Sequence, residues 1–149
     1  MSLNAIRFLS VVCVALVNVP SGAHLLELPD KLRLSSIDYL VVQQLYQGWA
    51  WVGLLVVAAL LSTLVLAIAL RRQPRALAFA TLAFVSIVGA QVVFWVFIFP
   101  VNQETGNWTL LSELWMEHRR RWEYSHAVAA ALHLFALVCV VLAAVVRDD

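Results

Sequence analysis

Arg119-Arg120-Arg121-Trp122-Glu123-Tyr124-Ser125-His126 leads directly into an apolar run, Ala127 to Val146, interrupted only by His133. A run of that length matches the roughly 20 residues that a helix needs to cross a bilayer. The charged entry followed by the apolar run therefore reads as a membrane-spanning helix over about 120–146. Three more stretches read the same way. Residues Phe8 to Val19 are apolar but for Ser10 and Asn18; they resemble the core of a signal peptide but are read here as a retained helix 1, about 6–27, with Pro20 and Gly22 placed to kink its far end. After the polar connection Leu28-Pro29-Asp30-Lys31-Leu32-Arg33-Leu34, Ser35 and Asp38 form a capping-box pattern, so helix 2 is expected over about 36–70. Beyond the basic turn Arg71-Arg72-Gln73-Pro74-Arg75, helix 3 is expected over about 76–99, closed by Pro100.

Composition agrees. With 63% hydrophobic residues, 13% charged residues and a mean hydropathy of +0.88, the 149-residue chain carries more apolar surface than one water-soluble domain of this size buries. The expected fold class is all-α, a single four-helix transmembrane domain with up-down-up-down topology. A net charge of +1 leaves no basic footprint for nucleic acid, and Cys13 and Cys139 lie inside apolar segments, where a small hydrophobic thiol is the ordinary reading. The expected surroundings are membrane lipid and a small apolar or aromatic substrate, with homo-oligomerisation left open.

An up-down-up-down order puts the end of helix 1, the start of helix 2, the end of helix 3 and the start of helix 4 at one membrane face. His24, Glu27, Gln43, Gln44, Gln47, Asn102, Glu123 and His126 then share a polar rim. Positive charge does not orient the chain. Arg7, Arg71, Arg72, Arg75 and Arg147 on the terminal side balance Lys31, Arg33, Arg119, Arg120 and Arg121 on the rim. Three arginines crowded into the 71–75 turn favour cytoplasmic termini.

Glu123 and His126, three positions apart, project about 60° apart round a helix axis and can reach one ion or substrate. His24 and Glu27 show the reversed spacing on helix 1. Together they offer two imidazoles and two carboxylates, the ligand types of a non-haem iron, manganese or zinc site, so His24, Glu27, Glu123 and His126 are candidate metal ligands and His126, Glu123 and His24 candidate catalytic groups. A haem held by two of His24, His126 and His133 is the alternative, with His133 the candidate cofactor ligand. Competing readings are structural: Glu123 paired with Arg119 or Arg120 one turn earlier, and histidines bonded across helices. Gln44, Gln47, Gln91, Trp95, Asn102 and Trp122 are expected to line a pocket suited to an aromatic or quinone-like molecule.

Several of these residues together resemble the anthrone oxygenase-like family of small four-helix membrane proteins. The resemblance rests on Pro100-Val101-Asn102, on the run from Trp115-Met116-Glu117-His118 to His126, and on Glu27-Leu28-Pro29-Asp30-Lys31-Leu32 followed by Tyr46-Gln47-Gly48-Trp49. It implies oxidation of a small aromatic compound, with Asn102, Trp122 and His126 at the site, joined by His24 and Glu27 in a subgroup. The functional expectation is thus a membrane oxidoreductase or oxygenase; the alternatives are a non-catalytic subunit or a lipid- or quinone-binding protein, and a proton-coupled transporter behind both.

Overall fold

The structure is a computed structural model that describes residues 2–146. It is all-helical, 85% of it in helix, with four helical segments long and apolar enough to cross a membrane: Leu3–Lys31, Trp49–Ala69, Pro74–Glu104 and Trp115–Val145. By length and composition this is an integral, multi-pass membrane protein. Arg147, counted above with the terminal charges, lies outside the described residues.

Helix α1 spans Leu3–Lys31 and begins where Ser2 Oγ accepts the Ala5 amide. It runs through Pro20 and Pro29 instead of ending near residue 27. Each proline removes one amide from the ladder, which a helix tolerates when neighbouring groups take over the freed carbonyl. The extra turn carries Lys31 onto the face of His24 and Glu27.

Helix α2, Ser36–Gln43, starts as expected, with Ser35 Oγ accepting the Asp38 amide at 3.2 Å. The continuous helix expected over 36–70 does not form. Two 3-10 turns, Gln44–Tyr46 and Trp49–Val52, separate α2 from α3, Gly53–Ala69. The cause is Gly48, whose φ of 82° lies in the left-handed region that only glycine enters cheaply.

A turn at Arg71–Gln73, tied to α1 by Arg7 Nη2 donating to Gln73 Oε1 at 3.0 Å, leads to α4, Pro74–Val93, with Pro74 in its first turn. Pro100 does not close this span. A π-turn over Phe94–Ile98 carries the chain on into α5, Phe99–Glu104. Proline has no amide to offer the carbonyl of Val96 four residues earlier, and Arg121 Nη2 donates to that oxygen at 2.9 Å instead. Three consecutive residues of positive φ, Gly106, Asn107 and Trp108, then reverse the chain. Helix α6, Trp115–Val145, starts about a turn earlier than expected.

Helix α1 packs against α3 and α6, and α4 packs against the same two. The main core is rich in alanine: Ala59, Ala76, Ala80, Ala83, Ala136 and Ala143 lie buried with Val14, Val17, Leu66 and Ile87. Large side chains such as Phe8, Leu61, Val92 and Phe135 face outward. In lipid no hydrophobic force separates inside from outside, so small residues that let backbones approach occupy the contacts. A second buried cluster, Tyr39, Ile98, Val101, Trp108 and Trp122, lies at the polar end.

The left-handed positions make a quantitative prediction. A Cβ at Gly48 meets nothing within 4 Å, so Gly48→Ala carries only the conformational cost, about 1 kcal/mol. At Gly106 the added Cβ would also lie 2.9 Å from Thr109 Oγ1, which is held by its own hydrogen bond to the Gly106 carbonyl. Gly106→Ala is expected to lower the thermal midpoint in detergent further than Gly48→Ala; the reverse order would contradict the geometry.

Candidate functional site

The polar end is built around one ammonium. Lys31, 3% exposed, places Nζ 3.3 Å from Glu27 Oε2, 3.3 Å from Glu123 Oε1 and 3.5 Å from His24 Nδ1. A lysine has three N–H donors and no acceptor, so these three neighbours account for all of them. The ammonium also faces the rings of Tyr46 at 4.6 Å and Trp122 at 5.2 Å, a cation–π environment. Glu123, 1% exposed, accepts a second bond from the Tyr39 hydroxyl at 2.9 Å, and the Tyr46 hydroxyl donates to Glu27.

Each phenol donates its proton to a carboxylate. Burial, reinforced by Glu123, pushes the Tyr39 hydroxyl above the usual tyrosine range, and burial together with Glu27 does the same for Tyr46.

Below the ammonium the imidazoles stack. The His24 and His126 ring centroids are 4.1 Å apart, Trp122 lies 4.1 Å from His126 and 5.1 Å from His24, and Trp49 meets His24 edge-on at 5.7 Å. Asn102 Oδ1 accepts the Trp122 indole N–H at 2.8 Å and so fixes the aromatic wall. His133 belongs to a deeper level, about 10 Å along α6 from His126. Its Nδ1 bonds to Ser21 Oγ at 2.8 Å, and Asn18 Nδ2 donates to its backbone carbonyl at 3.2 Å. The α1–α6 seam thus holds three polar pairs in succession: Lys31 with Glu123, His24 with His126, Ser21 with His133. Three atoms along it, Glu123 Oε2, His126 Nε2 and His133 Nε2, are buried without a hydrogen-bond partner.

His24, Glu27, Glu123 and His126 do come together, but not as a metal site. Among the described residues, no three His, Cys, Asp or Glu side chains are arranged to hold an ion. The physical reason is Lys31, whose positive charge stands between the two carboxylates, engages one oxygen of each and occupies the place a cation would take. Nor does a haem fit between His24 and His126, whose rings are already in direct contact.

Other expectations are corrected as well. Glu123 pairs with Lys31, and Arg119 instead donates to the backbone carbonyls of Lys31 and Leu34 at 3.3 and 2.8 Å while stacking on Trp115. Trp95 is 58% exposed and packs on Phe94 and Phe99, so it faces away from the cluster. Gln91, half-buried on α4, makes no hydrogen bond or ring contact to the cluster among the described residues. Gln44 donates to the carbonyls of Leu40 and Trp108, and Gln47 donates to Gln44, so both tie the 44–52 break to the left-handed turn. Lys31, Tyr39 and Tyr46 were missed as site residues. The signal for Lys31 was its spacing of four from Glu27 and seven from His24, legible only if helix 1 is allowed through Pro29.

Removing Lys31 alone leaves the buried Glu123 carboxylate without its cation. Lys31→Met is expected to cost about 3–5 kcal/mol in denaturant unfolding of the detergent-solubilised protein. Lys31→Met/Glu123→Leu should recover a large part of that loss, and a double variant as unstable as the single one would show that the pair is not coupled.

No family model matches the chain, and no curated protein or solved structure is significantly similar to it.

Proposed function

We propose that this chain is a single four-helix transmembrane domain of up-down-up-down topology with cytoplasmic termini, and that its polar end is an acid–base site oxidising a small apolar or aromatic molecule that enters from the bilayer. The topology is supported by the tight 71–73 turn and by the closed order of packing, α1 on α3, α3 on α4, α4 on α6 and α6 on α1. The observation that carries the function is a histidine pair held in an aromatic cage, with His126 Nε2 buried and uncommitted.

The roles follow from hydrogen-bond chemistry. The Lys31 ammonium can only donate, so His24 Nδ1 accepts and the His24 ring proton sits on Nε2. Lys31 is therefore a positioning residue that fixes the His24 tautomer and ring plane. His126, stacked between His24 and Trp122, is the base: Nε2 takes a proton from an acidic carbon flanked by aromatic rings. The resulting carbanion transfers an electron to dioxygen, the radical pair combines to a hydroperoxide, and loss of water leaves a ketone. The net change is a methylene plus O2 to a carbonyl plus water. The resemblance to the anthrone oxygenase-like family supports this reaction class, and the aromatic walls of Tyr46, Trp49 and Trp122 suit a planar substrate.

A second reading, a non-catalytic membrane subunit or quinone binder, draws on the full commitment of the Lys31 donors. The two readings part in an oxygen-electrode assay of the protein in nanodiscs, with anthrone as a probe of doubly benzylic C–H acids. The oxygenase reading expects uptake above the buffer rate and a loss of roughly 10²-fold or more in His126→Ala, with little change in thermal midpoint. Wild-type protein no faster than buffer on such acids, with His126→Ala only less stable, would leave the binding role standing.

A further inference from the structure

A separate constellation lies where α5 hands over to α6. Glu104, the last residue of α5, places Oε2 2.9 Å from His118 Nε2, and His118 Nδ1 lies 3.1 Å from Ser112 Oγ. His118 is 8% exposed, whereas Glu104 is half exposed and Ser112 partly so. None of the three touches Lys31, His24 or His126. The left-handed turn at residues 106–108 folds the chain back so that three residues distant in sequence meet, and Thr105 braces it by donating to the Val101 carbonyl and accepting the Trp108 amide.

The proton positions follow from the partners. A carboxylate only accepts, so a His118 ring with a single N–H proton carries it on Nε2, toward Glu104. Nδ1 is then a lone pair, and the only bond Ser112 can make to it is by donating its hydroxyl proton. Ser112 Oγ in turn accepts the Leu114 amide at 3.0 Å, which holds the oxygen in place. A serine donating to an imidazole that a carboxylate orients is the arrangement of an activated nucleophile. Helix α6 begins three residues later, and among the described residues the Met116 amide in its first turn makes no hydrogen bond, leaving a donor and the helix dipole at the end nearest Ser112. Leu110, Leu111, Leu114 and Met116 around the serine are all exposed, an apolar apron on the polar end of a membrane protein.

We infer that Ser112, His118 and Glu104 form a hydrolytic triad acting on acyl esters of amphiphiles lying in the membrane surface. Ser112 Oγ attacks the ester carbonyl as its proton passes to His118 Nδ1. The bond from the acyl carbon to the alcohol oxygen breaks, and His118 returns the proton to the departing alcohol. Water then attacks the acyl-serine, giving a proton through His118 to Ser112 Oγ and releasing the carboxylic acid. Glu104 is a positioning residue that holds the His118 tautomer.

The test is covalent labelling of the full chain in nanodiscs with a fluorophosphonate probe, located by peptide mass spectrometry, alongside hydrolysis of p-nitrophenyl octanoate. Labelling at Ser112 is expected, slowed roughly 10²-fold or more in His118→Gln and clearly in Glu104→Gln, with partial rescue in Glu104→Asp. Ser112→Ala also removes the acceptor of the Leu114 amide, so a merely structural role would lower its thermal midpoint. No labelling of folded wild-type protein, labelling elsewhere, or labelling at Ser112 that is indifferent to His118→Gln would each overturn the triad and leave a loop-pinning cluster.

Discussion

A buried ammonium between two carboxylates is the constraint on which the polar end depends. Lys31 and Glu123 are almost wholly removed from solvent, and a charge in that position is costly unless its partners are close and correctly oriented. Their separation of 3.3 Å sets the rotation of α1 against α6, because both side chains must point into the same seam. With that rotation fixed, His24 is brought over His126 and Ser21 over His133. Tyr39 and Tyr46, each donating to one carboxylate, bind the segment after α1 onto the same cluster. One electrostatic requirement thus acts on three elements, alongside the small apolar cluster of Tyr39, Ile98, Val101, Trp108 and Trp122 at the same end.

The arginines before Glu123 serve the backbone rather than the site. Arg119 satisfies carbonyls at and beyond the C-terminus of α1, and Arg121 satisfies the Val96 carbonyl that Pro100 cannot. Where water is scarce an unsatisfied carbonyl costs several kcal/mol, so a cationic side chain reaching across to a helix break is a strong constraint. The entry to α6 is therefore pinned to α1 on one side and to the α4–α5 junction on the other, which holds Trp122, Glu123 and His126 in register.

The two ends of the molecule are stabilised by different physics. The alanine-rich core relies on close backbone approach and dispersion, which is insensitive to charge and confers little chemical identity. The polar end relies on hydrogen bonds and aromatic contacts in a low-dielectric setting, where each bond is stronger and each orphan more costly. The unpartnered atoms Glu123 Oε2, His126 Nε2 and His133 Nε2 all fall along the second kind of seam. That is where a fold built only for stability would have placed alanine.

Hydrophobicity and helical spacing are local properties, and what depended on them was legible in the chain. The four apolar spans, the cap at Ser35, and the projection of His24 with Glu27 and of Glu123 with His126 all follow from residues within a turn or a span of one another. What only the tertiary structure decided was partnership. Whether Glu123 meets Arg119, Arg120 or Lys31 depends on how α1 is rotated and how far it continues past Pro29, and Trp95 could be assigned to a pocket or to lipid only once α4 and its π-turn were oriented. The same holds for the metal reading: four suitable ligands do converge, but a lysine that the sequence placed in a loop arrives first. Spacing along one helix restricts which side chains can act together, and packing between helices determines which of them do.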